Sequence, residues 1–185
     1  MTDALHRTEE QLLAGLDHIR AAPADEGTVE MIVIRPGSEQ RELPDRCTVS
    51  FEGGVHGDAW ARGCWKKLDD GRPHPDVQIC IMSARVIQLL AGCRDRWALA
   101  GDNLFVDMDI THDNLKPGQR LALGSAVIEI TEQAHTGCKK FVERYGKAAV
   151  AFVNSPQGTQ MRLRGIYAKV IEPGEISVGD VIRKL

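Results

Sequence analysis

No stretch of this 185-residue chain stays apolar for more than six residues, the longest being Ala148 to Val153. A spanning helix needs roughly 20 such residues, so a helical membrane protein is excluded. The start, MTDALHRTEEQLL, has no apolar core behind a basic stretch, so no secretory signal is read there and the expected location is the cytoplasm. The five cysteines (Cys47, Cys64, Cys80, Cys93, Cys138) contain no CxxC pair. A zinc ribbon, a thioredoxin-type motif and an iron–sulfur spacing are therefore not supported, and the odd count fits reduced thiols. Charge of one sign is also missing: 23 Lys+Arg stand against 26 Asp+Glu. No global field favours nucleic acid or an anionic membrane surface, and neither is expected as a partner. There is no internal repeat and no low-complexity tract.

The remainder is ordinary globular composition, 43% hydrophobic and 26% charged. A chain of this length buries about 70% of its unfolded surface on folding, so one domain with a full core is expected. Leu5, Leu12, Leu13, Leu16 and Ile19 recur at helical spacing and predict a helix over 2–22, capped by Thr2 or Asp3. PADEG (23–27) breaks it. The chain thus divides into a helix and linker, 1–27, and a domain, 28–185.

Beyond residue 27 the texture is that of short strands: 28–34, 47–51, 77–82, 104–106, 120–123, 126–131, 165–172 and 180–184. Pro-Gly and Gly-Ser pairs punctuate them. Helices are expected at 84–91, ended by Gly92, and at 138–145 and 148–154, with a break at Gly146. Strands and helices do not alternate regularly, so a doubly wound sheet is unsupported. The expected fold is α+β and strand-rich, a closed or curled β-barrel with inserted short helices and an N-terminal helix.

Four segments have compositions that suit chemistry. In EGGVHGD (52–58), Gly53, Gly54 and Gly57 permit unusual backbone geometry around His56 and Asp58. In GDNL (101–104), Asp102 and Asn103 offer donors and acceptors, for a ligand or for an Asx-type turn. PGQRLALG (117–124) reads as a barrel hairpin. In TEQAHTGCKK (131–140), a strand ends at a glycine turn and Cys138 falls at a helix start beside Lys139 and Lys140. Both features favour thiolate, and His135 stands three residues upstream. Thiolates act as nucleophiles, sulfur carriers or soft-metal ligands. Cys80 and Cys93 lie in apolar patterns and read as core; Cys47 and Cys64 stay open. Trp60, Trp65 and Trp97 read as pocket lining or core. His56, Asp58, Cys64, His74, His135 and Cys138 offer zinc-ligating atoms, at spacings that match no closed site.

In order and spacing these segments resemble the MOSC family, the domain named after the C-terminal part of molybdenum cofactor sulfurases. The resemblance runs through GGVHGD (53–58), VQICIMSARVIQLL (77–90), GDNL (101–104), PGQRLALGSAVIEIT (117–131), HTGC (135–138) and GIYAKVIEPGEISVGDVI (165–182). Asp102 stands where the family more often has Glu, and Gly137 where it more often has Pro. The resemblance implies a barrel-like fold and the molybdenum cofactor, a molybdopterin, as ligand. It places a persulfide-carrying or molybdenum-ligating role on Cys138. His56, Gly57, Asp58, Asp102 and Asn103 would orient the cofactor, and Lys139, Lys140, Arg162 and Arg164 would meet its phosphate. The function implied is a sulfur carrier or transferase served by a sulfur donor. The alternatives are a molybdenum-dependent reductase of N-hydroxylated compounds, fed by a separate electron-transfer protein, and a non-catalytic module that binds a small anion or cofactor.

Overall fold

Strand β4 (Ile79–Ser83) is buried along its whole length, while β7 (Ala126–Ile130) is buried at every second residue. That contrast shows the architecture: β7 has one face in a core, and β4 is covered on both. In the computed structural model, which describes residues 6–185, seven strands close a barrel. Their order is β1 (Glu26–Ile32), β10 (Val181–Lys184), β6 (Arg120–Leu123), β7, β8 (Ile166–Glu172), β4 and β5 (Leu104–Asp107), which returns to β1. A second sheet places β2 (Arg46–Ser50) between β3 (Gly54–Val55) and β9 (Gly174–Ser177). All these pairings are antiparallel except β4 with β5, where Ile81 faces Leu104 in parallel register. A parallel pair needs a crossover. Here it consists of α4 (Ala84–Ala91) and a 3-10 segment, Arg94–Ala100.

The period-2 pattern sorts the side chains. Ile79, Ile81, Leu104, Val106, Ile128 and Ile182 point into the barrel, each contributing about 1.5–3 kcal/mol by burial. On the other face of β4, Met82 joins a helical core. Cys80 joins a small cluster with Trp60, Cys64, Val77 and Tyr167. The helical core holds Leu12, Leu16, Ile87, Leu90, Phe141, Tyr145 and Phe152. These come from α1 (Glu9–Ala14), α2 (Leu16–Arg20), α4, α5 (Lys139–Tyr145) and α6 (Lys147–Asn154). Two short helices, α3 (Trp60–Gly63) and α7 (Pro156–Gln160), complete the set among the described residues. Gly165 sits at φ +105, and a Cβ there would lie 2.3 Å from the Ile81 carbonyl oxygen. Only glycine lets β8 begin this close to β4.

The α+β, strand-rich barrel is the architecture expected. Three local expectations change. The N-terminal helix starts at Glu9, where Thr8 and Gln11 form a capping box, and it breaks at Gly15. A Cβ at Gly15 would fall 2.5 Å from Leu89, so the break brings the chain close against α4. Thr2, Asp3 and Leu5 lie outside the described residues. Cys93 is exposed rather than core, because Gly92 at φ +76 ends α4 and turns the next residue outward. β9 forms in a stretch between two expected strands for which no strand is expected. No helix among the described residues is long and apolar enough to cross a membrane.

Candidate functional site

At one end of the barrel three segments meet: the chain leaving β1, the Gly-rich loop before α3, and the turn that enters β5. The first delivers Arg35, the second Asp58 and the third Asn103. Asn103 uses its full capacity. Its Oδ1 accepts from Arg35 Nη2 at 3.0 Å and from the Cys80 amide at 3.1 Å; its Nδ2 donates to Asp58 Oδ2 at 3.0 Å and to the Val33 carbonyl at 3.3 Å. Asp58 accepts from Arg35 Nε at 2.8 Å and Nη2 at 2.9 Å, and from the backbone amides of Arg35 and Trp60. Arg35 Nη1 donates to the Gly101 carbonyl at 2.6 Å. Burial pushes the Asp58 carboxyl up, but Arg35 and the two amides outweigh it and hold it below the ordinary carboxylate range. Burial also works against the Arg35 charge, and neighbouring Cys80 and Asp58 raise it by more. This is a closed, fully bonded frame.

Beside it lies a second buried pair. Arg164 Nη1 donates to both oxygens of Asp102, at 3.0 and 2.8 Å, and Nη2 donates to the Ala100 carbonyl. Its guanidinium stacks on Phe141, 4.8 Å from the ring centre. Burial pushes the Asp102 carboxyl up, against the pull of Arg164. His135 packs on Tyr167 with ring centres 4.4 Å apart. Its Nδ1 stands 3.6 Å from Asp102, beyond hydrogen-bond distance. Burial, then Arg164 and Arg35, hold the His135 imidazole well below its usual range, so it is neutral at pH 7. Two buried nitrogens in this wall, His135 Nδ1 and Arg164 Nε, find no hydrogen-bond partner.

The wall faces a cleft of about 340 Å³. Trp60, Cys64, Cys80 and Tyr167 line its floor, the exposed Trp65 stands on one side, and the loop 37–41 forms its lip. Glu39, at φ +59, ties that lip to α5: its carboxylate accepts from Lys140 at 2.9 Å and from Arg144 at 2.7 and 2.6 Å. Lys140 and Arg144 draw the Glu39 carboxyl down to about 2.

Of the residues singled out from sequence, Asp58, Asp102, Asn103 and Arg164 come together in this frame and wall. Lys140 reaches the lip. His56 turns outward and bonds Ser50 at 2.9 Å, and Gly57, at φ +86, turns the chain so that Asp58 points inward. Lys139 is exposed. Arg162 lies behind the wall, in a different pocket. Cys138 is exposed at the N-cap of α5, between the cleft-lining residues His135 and Lys140 but outside the cleft lining. Its turn is held by Asn154, which accepts from the Gly137 amide at 2.9 Å and donates to its carbonyl at 3.2 Å. Cys47, Cys64 and Cys80 are buried, and burial pushes the Cys47 thiol up to about 12. Among the described residues no three His, Cys, Asp or Glu side chains assemble a metal site. Sequence reasoning missed Arg35, Glu39, Arg41 and Tyr167. The signal for Arg35 was an arginine just after a buried strand and just before Pro-Gly.

The family model for the MOSC domain matches residues 71–183, more than half of the chain. The structure is similar to that of the YuaD protein from Bacillus subtilis, with a TM-score of 0.60 at 24% identity over 85% of this chain and 94% of that one. It is also similar to YiiM from Escherichia coli, with a TM-score of 0.54 at 17% identity over 85% of this chain and 69% of that one. YiiM from Geobacillus stearothermophilus gives a TM-score of 0.51 at 14% identity over 89% and 74%. At these identities the likeness is one of fold. No curated protein matches the chain.

Proposed function

The chain belongs to the MOSC domain family, which is associated with the molybdenum cofactor, and on that premise we propose that it is a sulfur carrier or transferase with Cys138 as the carrying thiol. One observation carries this reading. Cys138 is an exposed thiol on the segment between two cleft-lining residues, His135 and Lys140, whereas the two cysteines inside the cleft are buried. A carrier must reach its donor before it can serve an acceptor.

The cleft residues fit a large, anionic, flat ligand. Trp60 and Trp65 offer indole faces, Arg41 and Lys140 offer cations at the lip, and His135 Nδ1 is a buried nitrogen without a protein partner. Asp58 and Asn103 act by fixing Arg35, and Asp102 acts by pairing with Arg164. The cofactor, when bound, supplies the molybdenum centre that receives sulfur. The protein's own step is an exchange without net oxidation. The Cys138 thiolate attacks the outer sulfur of a donor persulfide, the S–S bond of the donor breaks, and the donor leaves as a thiolate. Cys138 then holds the outer sulfur until an acceptor attacks it and the cysteine thiolate returns.

The test is cyanide-releasable sulfur after incubation with a persulfide donor. The chain is expected to carry about one such sulfur, Cys138→Ala none, and Cys93→Ala the full amount. An undiminished load on Cys138→Ala ends this reading. A second reading, a cofactor-binding module without turnover, is favoured by the position of Cys138 outside the cleft lining. Copurification of molybdenum and pterin with Cys138→Ala, together with a sulfur load of zero on both proteins, would select it.

A further inference from the structure

Behind the wall of His135 and Arg164 is a second, more enclosed pocket of about 90 Å³. That is room for roughly three waters at about 30 Å³ each, or for one ion with four oxygens. Arg162 lines it and takes no part in the cleft. Arg162 is 8% exposed and sits at φ +49, a backbone region that side chains rarely adopt. Its Nη1 donates to the carbonyls of Leu115 at 2.6 Å and Ile110 at 3.4 Å. Those bonds anchor the side chain without neutralising it. No carboxylate lies within ion-pair distance among the described residues, and its other nitrogens take no partner there. Buried charges are ordinarily paired, because an unpaired one is expensive.

Arg164 forms the shared wall. Its terminal nitrogens are committed to Asp102 and Ala100, and its Nε is the buried nitrogen without a partner. His112, Asn154 and Thr159 add polar groups to the same lining. The one carboxylate of the lining, Glu132, is exposed and forms no ion pair among the described residues.

We propose that this rear pocket binds a small, doubly charged tetrahedral oxoanion, with Arg162 as its main cation and Arg164 as its second. The ion supplies the counter-charge that Arg162 lacks and accepts from the nitrogens left open. The pocket holds a free inorganic ion and not the phosphate of a larger ligand, because the wall separates it from the cleft. The inference stands apart from the sulfur-carrying role of Cys138.

The test is thermal unfolding of the full chain titrated with sulfate and with inorganic phosphate, at ionic strength held constant with chloride. A saturable rise in Tm is expected for both oxoanions. Thr159→Glu changes an exposed position and brings a carboxylate to the pocket mouth, and it is expected to abolish the rise. Arg162→Lys is expected to weaken binding about tenfold or more, the scale of a lost charge-assisted bond. Glu132→Gln is expected to tighten it or leave it unchanged. Cys138→Ala and Lys140→Ala are expected to bind as the parent does, which separates this pocket from the cleft and from the sulfur chemistry. The proposal is overturned if chloride alone gives the same rise. It is equally overturned if folded Thr159→Glu still responds, if Glu132→Gln loses the response, or if a phosphate monoester binds more tightly than the free ion.

Discussion

Arg35 and Arg162 are both arginines carried well into the protein, and their surroundings differ in kind. Arg35 meets a carboxylate face to face, a side-chain amide and a backbone carbonyl, and every group it touches is itself satisfied. Arg162 meets two carbonyls and, among the described residues, no negative charge. The first is a structural rivet: removing any part leaves a buried charge or dipole exposed to nothing. The second is a socket, held in place but electrically incomplete. Arg164 lies between these extremes, paired with Asp102 yet with Nε open. The difference suggests where ligands belong in this molecule, namely where the protein has left charge uncompensated rather than where its polar network is densest.

The largest effect that would break this comparison is on Asp58. Asp58→Ala strands the Arg35 guanidinium and is expected to cost about 3–5 kcal/mol of stability, measured by urea unfolding. Arg162→Gln loses only carbonyl bonds and is expected to cost about 1–3 kcal/mol in sulfate-free buffer. If the two variants cost the same, Arg162 is as much a rivet as Arg35.

A smaller effect concerns pH. The folded-state pKa of His135 lies below the ordinary value of 6.5, so between those two values the unfolded chain binds the extra proton. Stability is then full above about 6.5 and falls as pH drops below it. His135→Gln should flatten that acid limb of the stability–pH curve. A limb unchanged in His135→Gln would show that the wall does not exclude the proton.

The smallest effect is expected at Glu39. Its carboxyl is lowered to about 2 by Lys140 and Arg144. Its contribution is therefore present above the unfolded carboxylate pKa and is lost as pH falls through about 2. Because the group is exposed, Glu39→Gln should leave the melting temperature at neutral pH and moderate salt nearly unchanged. A large drop would mean that the lip of the cleft is part of the frame.

The barrel was legible because its physics is local. Runs such as Val77–Met82 and Ala126–Thr131 carry their burial pattern in sequence, and Gly92 and Gly146 mark real helix ends. β9 was hidden because it follows Pro173 and buries only Ile176. Cys93 was misplaced because apolar periodicity continues past the glycine that turns the chain outward. The polar frame was half visible. Asp58, Asp102 and Asn103 stand in glycine-rich turns that draw attention to themselves. Arg35 does not, since its partners lie 23 and 68 residues away, and only the barrel's closure brings them together. Of the rear pocket only the cations were visible: Arg162 and Arg164 stand out in sequence as candidates for an anion, but a missing counter-charge is a property of space, and so is the wall that separates Arg162 from the cleft.

One consequence concerns how such a chain is made. β1, near the start, has β10 on one side and β5 on the other. As the chain is synthesised from its amino end, β1 can find β5 first, but its second edge stays bare until β10 emerges. Until then the half-built barrel presents an open edge and apolar residues meant for its interior, the state in which strand-rich chains pair with the wrong neighbour. Closure thus waits for β10, and slow synthesis of the segment that carries it would lengthen the interval in which the molecule needs protection.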